Sequence, residues 1–121
     1  MFEQLKDAFN SISFLSDEDW LLIEPYLKLK RYKKNDLYFK AGDIEQNISF
    51  IINGSFKWYY INNIGNEVNF HFFFENTFIV EYQSFLTQQT SDMYIQAMTD
   101  SEVILLPKRN KILDLFSKSH N

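Results

Sequence analysis

The chain has 121 residues, of which 45% are apolar and 18% aromatic, so we expect one globular domain spanning 1–121 and exclude a disordered chain. It contains no cysteine, which excludes disulfides, thiolate zinc sites and thiol catalysis and fits a reducing compartment. A net charge of −4 argues against direct nucleic-acid binding, and with neither a signal peptide nor a membrane-spanning apolar stretch in the sequence we predict a cytoplasmic location.

The N-terminal segment has the apolar spacing of a short amphipathic helix. Phe2, Leu5, Phe9 and Ile12 recur at intervals of three and four residues, which places them on one helical face. We interpret this stripe as core packing.

A second helix is marked by its capping residues. Ser16 is an expected N-cap, and the acids at 17–19 suit the first turn of a helix. Leu15 can pack on Trp20 as a hydrophobic staple, and Pro25 limits the helix at its other end. The paired carboxylates of this segment are therefore interpreted as capping groups and not as catalytic acids.

After this helix the apolar pattern changes to a period of two in short segments. Many short strands separated by turn residues predict an all-β sandwich or barrel. The predicted strands are 30–32, 37–40, 48–52, 55–62, 67–74, 93–98 and 102–106.

The three glycines fall between predicted strands, so we assign all of them to turns. Asn53 and Gly54 predict a type I′ hairpin joining 48–52 to 55–62, because both central residues of that turn need positive φ. Gly42 and Gly65 mark two further turns. The polar stretch 87–92 is the expected mobile loop.

The chain ends in a predicted helix that begins after Pro107. Ile112, Leu113 and Phe116 form its apolar positions, and basic residues lie near its start.

Six segments, taken in order, resemble the effector domain of the Crp/Fnr family of bacterial transcription regulators. They are "LSDEDWLLIEPYL", "KAGD", "SFIINGSFKWYY", "IGNE", "NTFIVEYQSFL" and "YIQAMTDSEVILL". Aromatic-rich, Bacteroidetes-type members look most similar. The resemblance implies a mainly β fold, an antiparallel β-roll (double-stranded β-helix or jelly roll, like a cyclic nucleotide-binding domain) with N-terminal helices and a short C-terminal helix.

The nucleotide-binding motif of that family is degenerate in this sequence. The strand corresponding to 77–85 runs, in family members, into a Gly-Glu-Leu-Ala-type phosphate cassette followed by an Arg next to a small residue. Here Val80 replaces the Gly, while Glu81 keeps the Glu that in the family contacts the ribose hydroxyl. The Arg-Ser/Thr pair falls at about Ser91 and Asp92, so the phosphate-neutralising cation is missing.

A count of charges also predicts, independently of the resemblance, that an anion binds only weakly. From Trp58 to Pro107 there is no Lys or Arg, and we expect millimolar or weaker affinity for a cyclic nucleotide unless Lys40, Lys57 or Lys108 reaches the pocket. The candidate effector pocket comprises Glu81, Tyr82, Gln83, Ser84, Ser91, Asp92 and His71.

Other interpretations of these residues stay open. His71 lines a ligand cavity, binds a metal or is a surface residue. It is one position out of phase with Val68, Phe70, Phe72 and Phe74, if those four point inward. A cupin-type metalloenzyme would use His71 with Glu75. Glu81 could instead be a solvated strand residue.

Two further surface features have alternative explanations. The basic run 28–34 either contacts phosphates or is a solvated strand whose charges discourage edge pairing. In the aromatic segment 55–62 one face is expected to be core, which leaves Tyr59 as the exposed candidate for contact with a ligand or a partner.

The resemblance implies a ligand-sensing or dimer-scaffolding domain of a transcription regulator. In that mechanism pocket occupancy repositions the C-terminal helix, which pairs subunits and orients DNA-binding domains that lie outside these residues. We predict no enzymatic activity, no cofactor or metal, a small-molecule effector and a homodimer for the longer protein. A genuine cyclic nucleotide-binding domain and a cupin-like enzyme are the alternatives.

Overall fold

The computed structural model describes residues 2–12 and 16–119, which form four α-helices and eight strands. Except at residues 78–87, helices and strands follow the order expected from the sequence, with most boundaries within two residues of the predicted ones. Their bounds are α1 Glu3–Ile12, α2 Asp17–Ile23, β1 Lys28–Tyr32, β2 Leu37–Phe39, β3 Ser49–Asn53, β4 Phe56–Ile61, β5 Glu67–Phe73, β6 Phe78–Ile79, α3 Tyr82–Thr87, β7 Tyr94–Ala97, β8 Ser101–Leu105 and α4 Arg109–Ser119.

The start of α2 is the capping box that the sequence predicts. The Ser16 hydroxyl accepts a hydrogen bond from the Asp19 N–H (3.1 Å), and the Asp19 carboxylate accepts one from the Ser16 N–H (3.3 Å). The helix ends at Ile23 and is followed by the 3₁₀ turn Glu24–Tyr26, which contains Pro25, the residue predicted to limit the helix. Leu15, the proposed staple residue, lies outside the described residues.

The eight strands form two four-stranded antiparallel sheets. The first has the order β1-β8-β3-β6 and the second the order β2-β7-β4-β5. Apart from the consecutive pair β4 and β5, strands that are neighbours in one sheet are not consecutive in sequence, as in a roll whose chain passes repeatedly from one sheet to the other. The predicted mainly β fold, a β-roll with N-terminal helices and a short C-terminal helix, is confirmed.

The central strands of the first sheet, β3 and β8, are buried on both faces, because the second sheet covers one face and helices α1, α2 and α4 cover the other. Ile51 and Val103 point between the sheets, whereas Phe50 and Ile104 point to the helices, and all four are fully buried. The intersheet core contains Tyr32, Phe39, Ile51, Phe56, Phe73, Ile79, Ile95, Ala97 and Val103; the helix-side core contains Leu5, Trp20, Ile23, Leu27, Phe50, Ile104, Leu106 and Leu115.

The predicted hairpin at Asn53 and Gly54 is wrong. β3 pairs with β6 and β8, whereas β4 pairs with β5 and β7, so the two residues carry the chain from one sheet to the other. Gly54 has φ +102°, but Asn53 lacks the positive φ that a type I′ turn requires. The Gly54 N–H instead donates to the Glu75 carboxylate (3.3 Å). The other two glycines also have positive φ, as turn residues do.

The alternation expected in β5 is wrong because the strand contains a bulge. Trp58 lies opposite His71, but Tyr59 lies opposite Asn69, so Phe70 is an extra residue in the ladder. Beyond the bulge Phe73 is the inward residue and is 7% exposed. The expected inward residues Phe70, Phe72 and Phe74 are exposed.

Tyr59, expected to be exposed, is buried. Its ring stacks on Tyr94 of the adjacent strand, with ring centroids 5.3 Å apart, and Lys57 covers it from 5.0 Å. Its hydroxyl donates to the side-chain oxygen of Gln96 (3.3 Å). The residue is therefore a packed cross-strand pair and not a free contact surface.

Two other local expectations need correction. The segment 77–85 contains only the two-residue strand β6 before α3 begins at Tyr82. In α4 Leu113 is 54% exposed, whereas Ile112 packs on the helix-side core and Leu115 is 7% exposed. Residues 112 and 115 are three apart and share a helical face, but 113 is rotated away from it. The side chains of Phe9, Ile12 and Phe116 lie outside the described residues.

We expect Gly54→Ala to destabilise the fold strongly. A Cβ at this position would fall on the Ser101 side chain and lie 2.7 Å from its Cα, in addition to the strain of a positive φ. The free energy of unfolding should fall by about 2–4 kcal/mol in urea denaturation. Gly65→Ala is the matched control, since Gly65 also has positive φ but open space around it; its cost should be about 1 kcal/mol. If the free energy of unfolding fell equally in the two variants, crowding against Ser101 would not explain the effect of Gly54→Ala.

Candidate functional site

The first turn of α3 is capped by the carboxylate of Glu81. Its two oxygens accept hydrogen bonds from the N–H groups of Gln83 (3.2 Å) and Ser84 (3.2 Å). Such N–H groups at a helix start are free donors that favour an anion. Glu81 is 3% exposed, so the interpretation of this residue as a solvated strand residue is wrong. The protein's own carboxylate occupies these donors.

A second buried carboxylate, Glu45, lies directly behind Glu81. One oxygen accepts a hydrogen bond from the Glu81 N–H (3.1 Å) and the other accepts one from the Asn47 N–H (3.2 Å). Burial raises the pKa of Glu45 to about 7, and the negative charges of Glu81 and Asp43 act in the same direction, against the two N–H bonds. Sequence analysis did not single out Glu45, which is a lone acid after a turn.

The helix and the following loop are joined to Glu45 by side-chain hydrogen bonds. The Ser84 hydroxyl accepts from the Glu45 N–H (2.9 Å) and donates to the Gln89 carbonyl (2.6 Å). Gln88 ends α3 in the left-handed conformation, and its amide donates to the carbonyls of Glu45 (3.1 Å) and Phe85 (2.9 Å). Buried polar groups in this region are thus paired with one another.

A polar cavity of about 290 Å³ lies between α3 and the loop that follows it. The loop is fixed by paired backbone bonds, from the Gly42 N–H to the Ser91 carbonyl (2.8 Å) and from the Ser91 N–H to the Asp43 carbonyl (3.2 Å). The residues that line the cavity include two acids and no Lys or Arg: Glu81, Gln83, Ser84, Thr87, Gln89, Thr90, Ser91, Asp92 and Met93.

The structure brings together five of the seven predicted pocket residues, Glu81, Gln83, Ser84, Ser91 and Asp92. Two do not line this cavity. Tyr82 points outward and is 61% exposed. His71 lies on β5, where it contacts the ring of Phe73 (4.9 Å between centroids). The sequence missed Thr87, Gln89, Thr90 and Met93, because uncharged residues of a polar loop carry no distinctive pattern.

Metal binding at His71 finds no support in its surroundings. In residues 2–12 and 16–119 no group of three His, Cys, Asp or Glu side chains could hold a metal ion. A cupin-type centre needs such a cluster. His71 is exposed on its strand, and its ring contact is with an aromatic neighbour.

Aromatic side chains of strands β4 and β5 pack on one another in the second sheet. Trp58 stacks on Phe73 (5.9 Å between centroids) and meets Phe70 edge-on (4.7 Å). The indole N–H of Trp58 is buried and has no hydrogen-bond partner among the described residues. On the same side of the core, the Tyr38 hydroxyl is paired with that of Ser49 (2.9 Å).

The three lysines considered as phosphate partners do not line the cavity. Lys57, one of three lysines considered as a phosphate partner, lies 2.9 Å from the Glu67 carboxylate on the outer face of the second sheet. Neither Lys40 nor Lys108 lines the cavity. The basic strand β1 is a sheet edge with four exposed side chains, and its Arg31 is 3.0 Å from Glu102, in keeping with the solvated-strand interpretation.

A β-roll with a short capped helix and a loop around a polar cavity is the class of architecture that the structure defines. Sequence comparison assigns the family. Residues 29–119 match the family described as "Cyclic nucleotide-binding domain", and the chain belongs to it. The resemblance to the effector domains of Crp/Fnr regulators is thereby confirmed.

Similar solved structures include regulators from several organisms. The sensor domain of the transcriptional regulator DNR from Pseudomonas aeruginosa is 18% identical, with a TM-score of 0.79 over 96% of this chain and 76% of that one. The Thermus thermophilus Catabolite Activator Protein is 20% identical, with a TM-score of 0.72 over 92% of this chain and 50% of that one. The regulatory subunit of a cAMP-independent protein kinase A from Trypanosoma brucei is 17% identical, with a TM-score of 0.76 over 98% of this chain and 46% of that one.

This chain therefore spans about half the length of the last two proteins. No protein with a curated description matches the sequence. None of the helices in the described residues is both long and apolar enough to cross a membrane.

We expect Glu45→Gln to change how stability depends on pH. Because folding raises the pKa of Glu45 from 4.5 to about 7, its contribution to stability is complete below pH 4.5 and is lost as the pH rises through 7. The free energy of unfolding of the variant relative to that of the wild type should therefore rise between pH 4.5 and 7, by about 3 kcal/mol, and level off above pH 7.

Urea denaturation between pH 4 and 8.5 measures this difference. Glu18→Gln, which removes an exposed carboxylate from α2, is the control and should not show this rise. A difference curve for Glu45→Gln as flat as that of the control would contradict the elevated pKa.

Proposed function

We propose that this chain is a ligand-sensing, non-enzymatic regulatory domain that does not take up cAMP or cGMP in the way usual for its family. The observation that carries the proposal is the position of the Glu81 carboxylate. It occupies the first N–H groups of α3, in the cassette where the resemblance implies nucleotide contacts. Both oxygens of this carboxylate, whose counterpart in the family contacts the ribose hydroxyl, are thus already engaged within the chain, and no Lys or Arg lines the cavity beside it.

The charges around the cavity oppose a phosphodiester. Glu81 and Asp92 line it, Glu45 lies behind it, and none of the lining residues is a cation. An unpaired buried charge costs several kcal/mol, and a single charge-assisted hydrogen bond contributes about 1.5–3 kcal/mol. An effector that suits this lining has hydrogen-bonding groups, carries no phosphate and is neutral or cationic.

The similar kinase subunit supports the proposal by analogy. The Trypanosoma brucei protein is described as cAMP-independent, and a triple variant in which one substitution replaces a threonine with arginine is described as bound to cAMP in one site. In that protein the fold thus occurs without dependence on cAMP. This chain has Ser91 and Asp92 where the family's Arg-Ser/Thr pair is expected, so it also lacks the arginine.

The family match favours a second candidate, a genuine cyclic nucleotide-binding domain. It would require Lys40 or Lys108 to move toward the cavity and neutralise the phosphate. In either case we infer a role within a longer transcription regulator, which would bind DNA through another segment and act as a homodimer.

A thermal-shift measurement separates the two candidates. With a dissociation constant of about 1 mM or weaker, cAMP or cGMP at about 1 mM should stabilise the wild type by about 0.4 kcal/mol or less, a rise in Tm of roughly 2 °C at most. A rise several times larger at the same concentration would establish a genuine nucleotide site and overturn the proposal.

The double substitution Ser91→Arg with Asp92→Ala should improve cAMP binding. It supplies one cation and removes one anion at the cavity, and one charge-assisted hydrogen bond corresponds to roughly 10- to 150-fold in affinity. Isothermal titration measures the change. Ser91→Gln with Asp92→Ala is the matched control, with a long neutral side chain, and should gain much less. Equal affinities of the two variants would show that the missing cation is not what limits binding.

A further inference from the structure

The segment between β2 and β3 connects the cavity to the C-terminal helix. We call residues 45–48 the linking segment. On the cavity side, the Glu45 N–H donates to the Ser84 hydroxyl (2.9 Å), and the Gln88 amide donates to the Glu45 carbonyl (3.1 Å). Both partners belong to α3 or its C-terminal cap.

The other side of the linking segment holds the beginning of α4. The Gln46 carbonyl accepts a hydrogen bond from the N–H of Arg109 (2.8 Å), the first residue of that helix. The Asn47 amide donates to the Leu106 carbonyl (3.1 Å), and the Leu106 N–H donates to the Ile48 carbonyl (2.9 Å). A helix start leaves N–H groups without intrahelical partners, so the Gln46 carbonyl fixes where α4 begins.

The carboxylate of Glu45 joins the two sides. One of its oxygens accepts from the Glu81 N–H (3.1 Å), at the cap of α3, and the other accepts from the Asn47 N–H (3.2 Å), next to the contacts with α4. Both bonds are buried or partly buried, where hydrogen bonds are stronger and costly to break. A displacement of Glu81 therefore moves or unpairs Glu45 and, through Asn47, the anchor of α4.

We propose that the linking segment transmits the state of the cavity to α4 and that Glu45 is the residue that positions it. The proposal rests on the proposed function, because it takes the cavity as the effector site. It adds the route by which occupancy reaches the helix. Removal or rearrangement of the Glu45 contacts changes the position of the first turn of α4.

The proton is a usable probe of this route while the effector is unidentified. Glu45 is faced by the Glu81 carboxylate at the start of α3, by Asp43 of its own loop, and by the phenols of Tyr38 on β2 and Tyr32 on β1. Protonation of Glu45 removes the negative charge that its two N–H partners share. With its pKa at about 7, this change takes place in an accessible range.

The experiment follows backbone amide resonances of the 121-residue chain by ¹⁵N NMR from pH 5.5 to 8.5. We expect the amides of Glu81, Asn47 and Arg109 to titrate with one shared midpoint near 7, because they respond to the same carboxyl group. In Glu45→Gln this midpoint should vanish from all three, whereas Glu18→Gln should retain it. An Arg109 amide that does not titrate with Glu81 in the wild type would overturn the proposal without any variant.

Asn47→Ala tests the last step. It keeps the N–H that Glu45 binds but removes the amide that holds Leu106. The pH-dependent shift of Arg109 should fall by a factor of about three or more, while that of Glu81 persists. An unchanged Arg109 shift would show that the coupling does not pass through Asn47 and would contradict the proposal.

A failure of the proposed route and a failure of the proposed function give different experimental results. If the cavity binds cAMP tightly, the proposed ligand class fails, yet a shared titration that Asn47→Ala interrupts still establishes the route. If nucleotides do not bind and Arg109 titrates independently of Glu81, the proposed function stands and the route is wrong.

Discussion

Two buried carboxylates without a cation beside them determine the chemistry of this domain. Glu81 and Glu45 are 3% and 5% exposed, and four backbone N–H groups satisfy their oxygens. Buried charges are ordinarily paired with opposite charges; here backbone N–H groups take that place, and the raised pKa of Glu45 leaves this carboxyl partly protonated near pH 7. The cap of α3, the conformation of the linking segment and the sign of the potential in the cavity all follow from it.

The same interaction explains how the start of α3 is stabilised from within the chain. The start of α3 still needs an acceptor for its first N–H groups, and Glu81 supplies one from within the chain. The stability of the short helix then does not depend on a bound anion. In the intersheet core, Trp58 stacks on Phe73, and Tyr38 packs against the same cluster.

The sequence predicted most strands and the capped helix correctly, because these are set by local periodicity and by capping chemistry. It failed where tertiary structure overrides local preference. Asn53 and Gly54 have the composition of a hairpin turn, but their flanking strands find partners elsewhere in the chain. The single extra residue Phe70 reverses the faces of β5, and no composition rule places a bulge.

The candidate site was predictable in part. Glu81 and the Ser91–Asp92 pair were found through the family resemblance, and the structure places them around one cavity. Glu45 was not found, because its importance comes from burial and from contacts 36 and 39 residues away in sequence. His71 was selected for its residue type, and its position on the second sheet shows that residue type alone does not locate a side chain.

The four free edges of the two sheets are protected to different degrees. β2 and β6 are only three and two residues long, and β1 carries four exposed side chains, three of them basic. β5 has seven residues, with exposed Phe70 and Phe72 in the strand and Phe74 directly after it. Short or charged edges resist the addition of a foreign strand, and long aromatic edges invite it. Self-association of this domain at high concentration would therefore be directional, starting from one side of the second sheet.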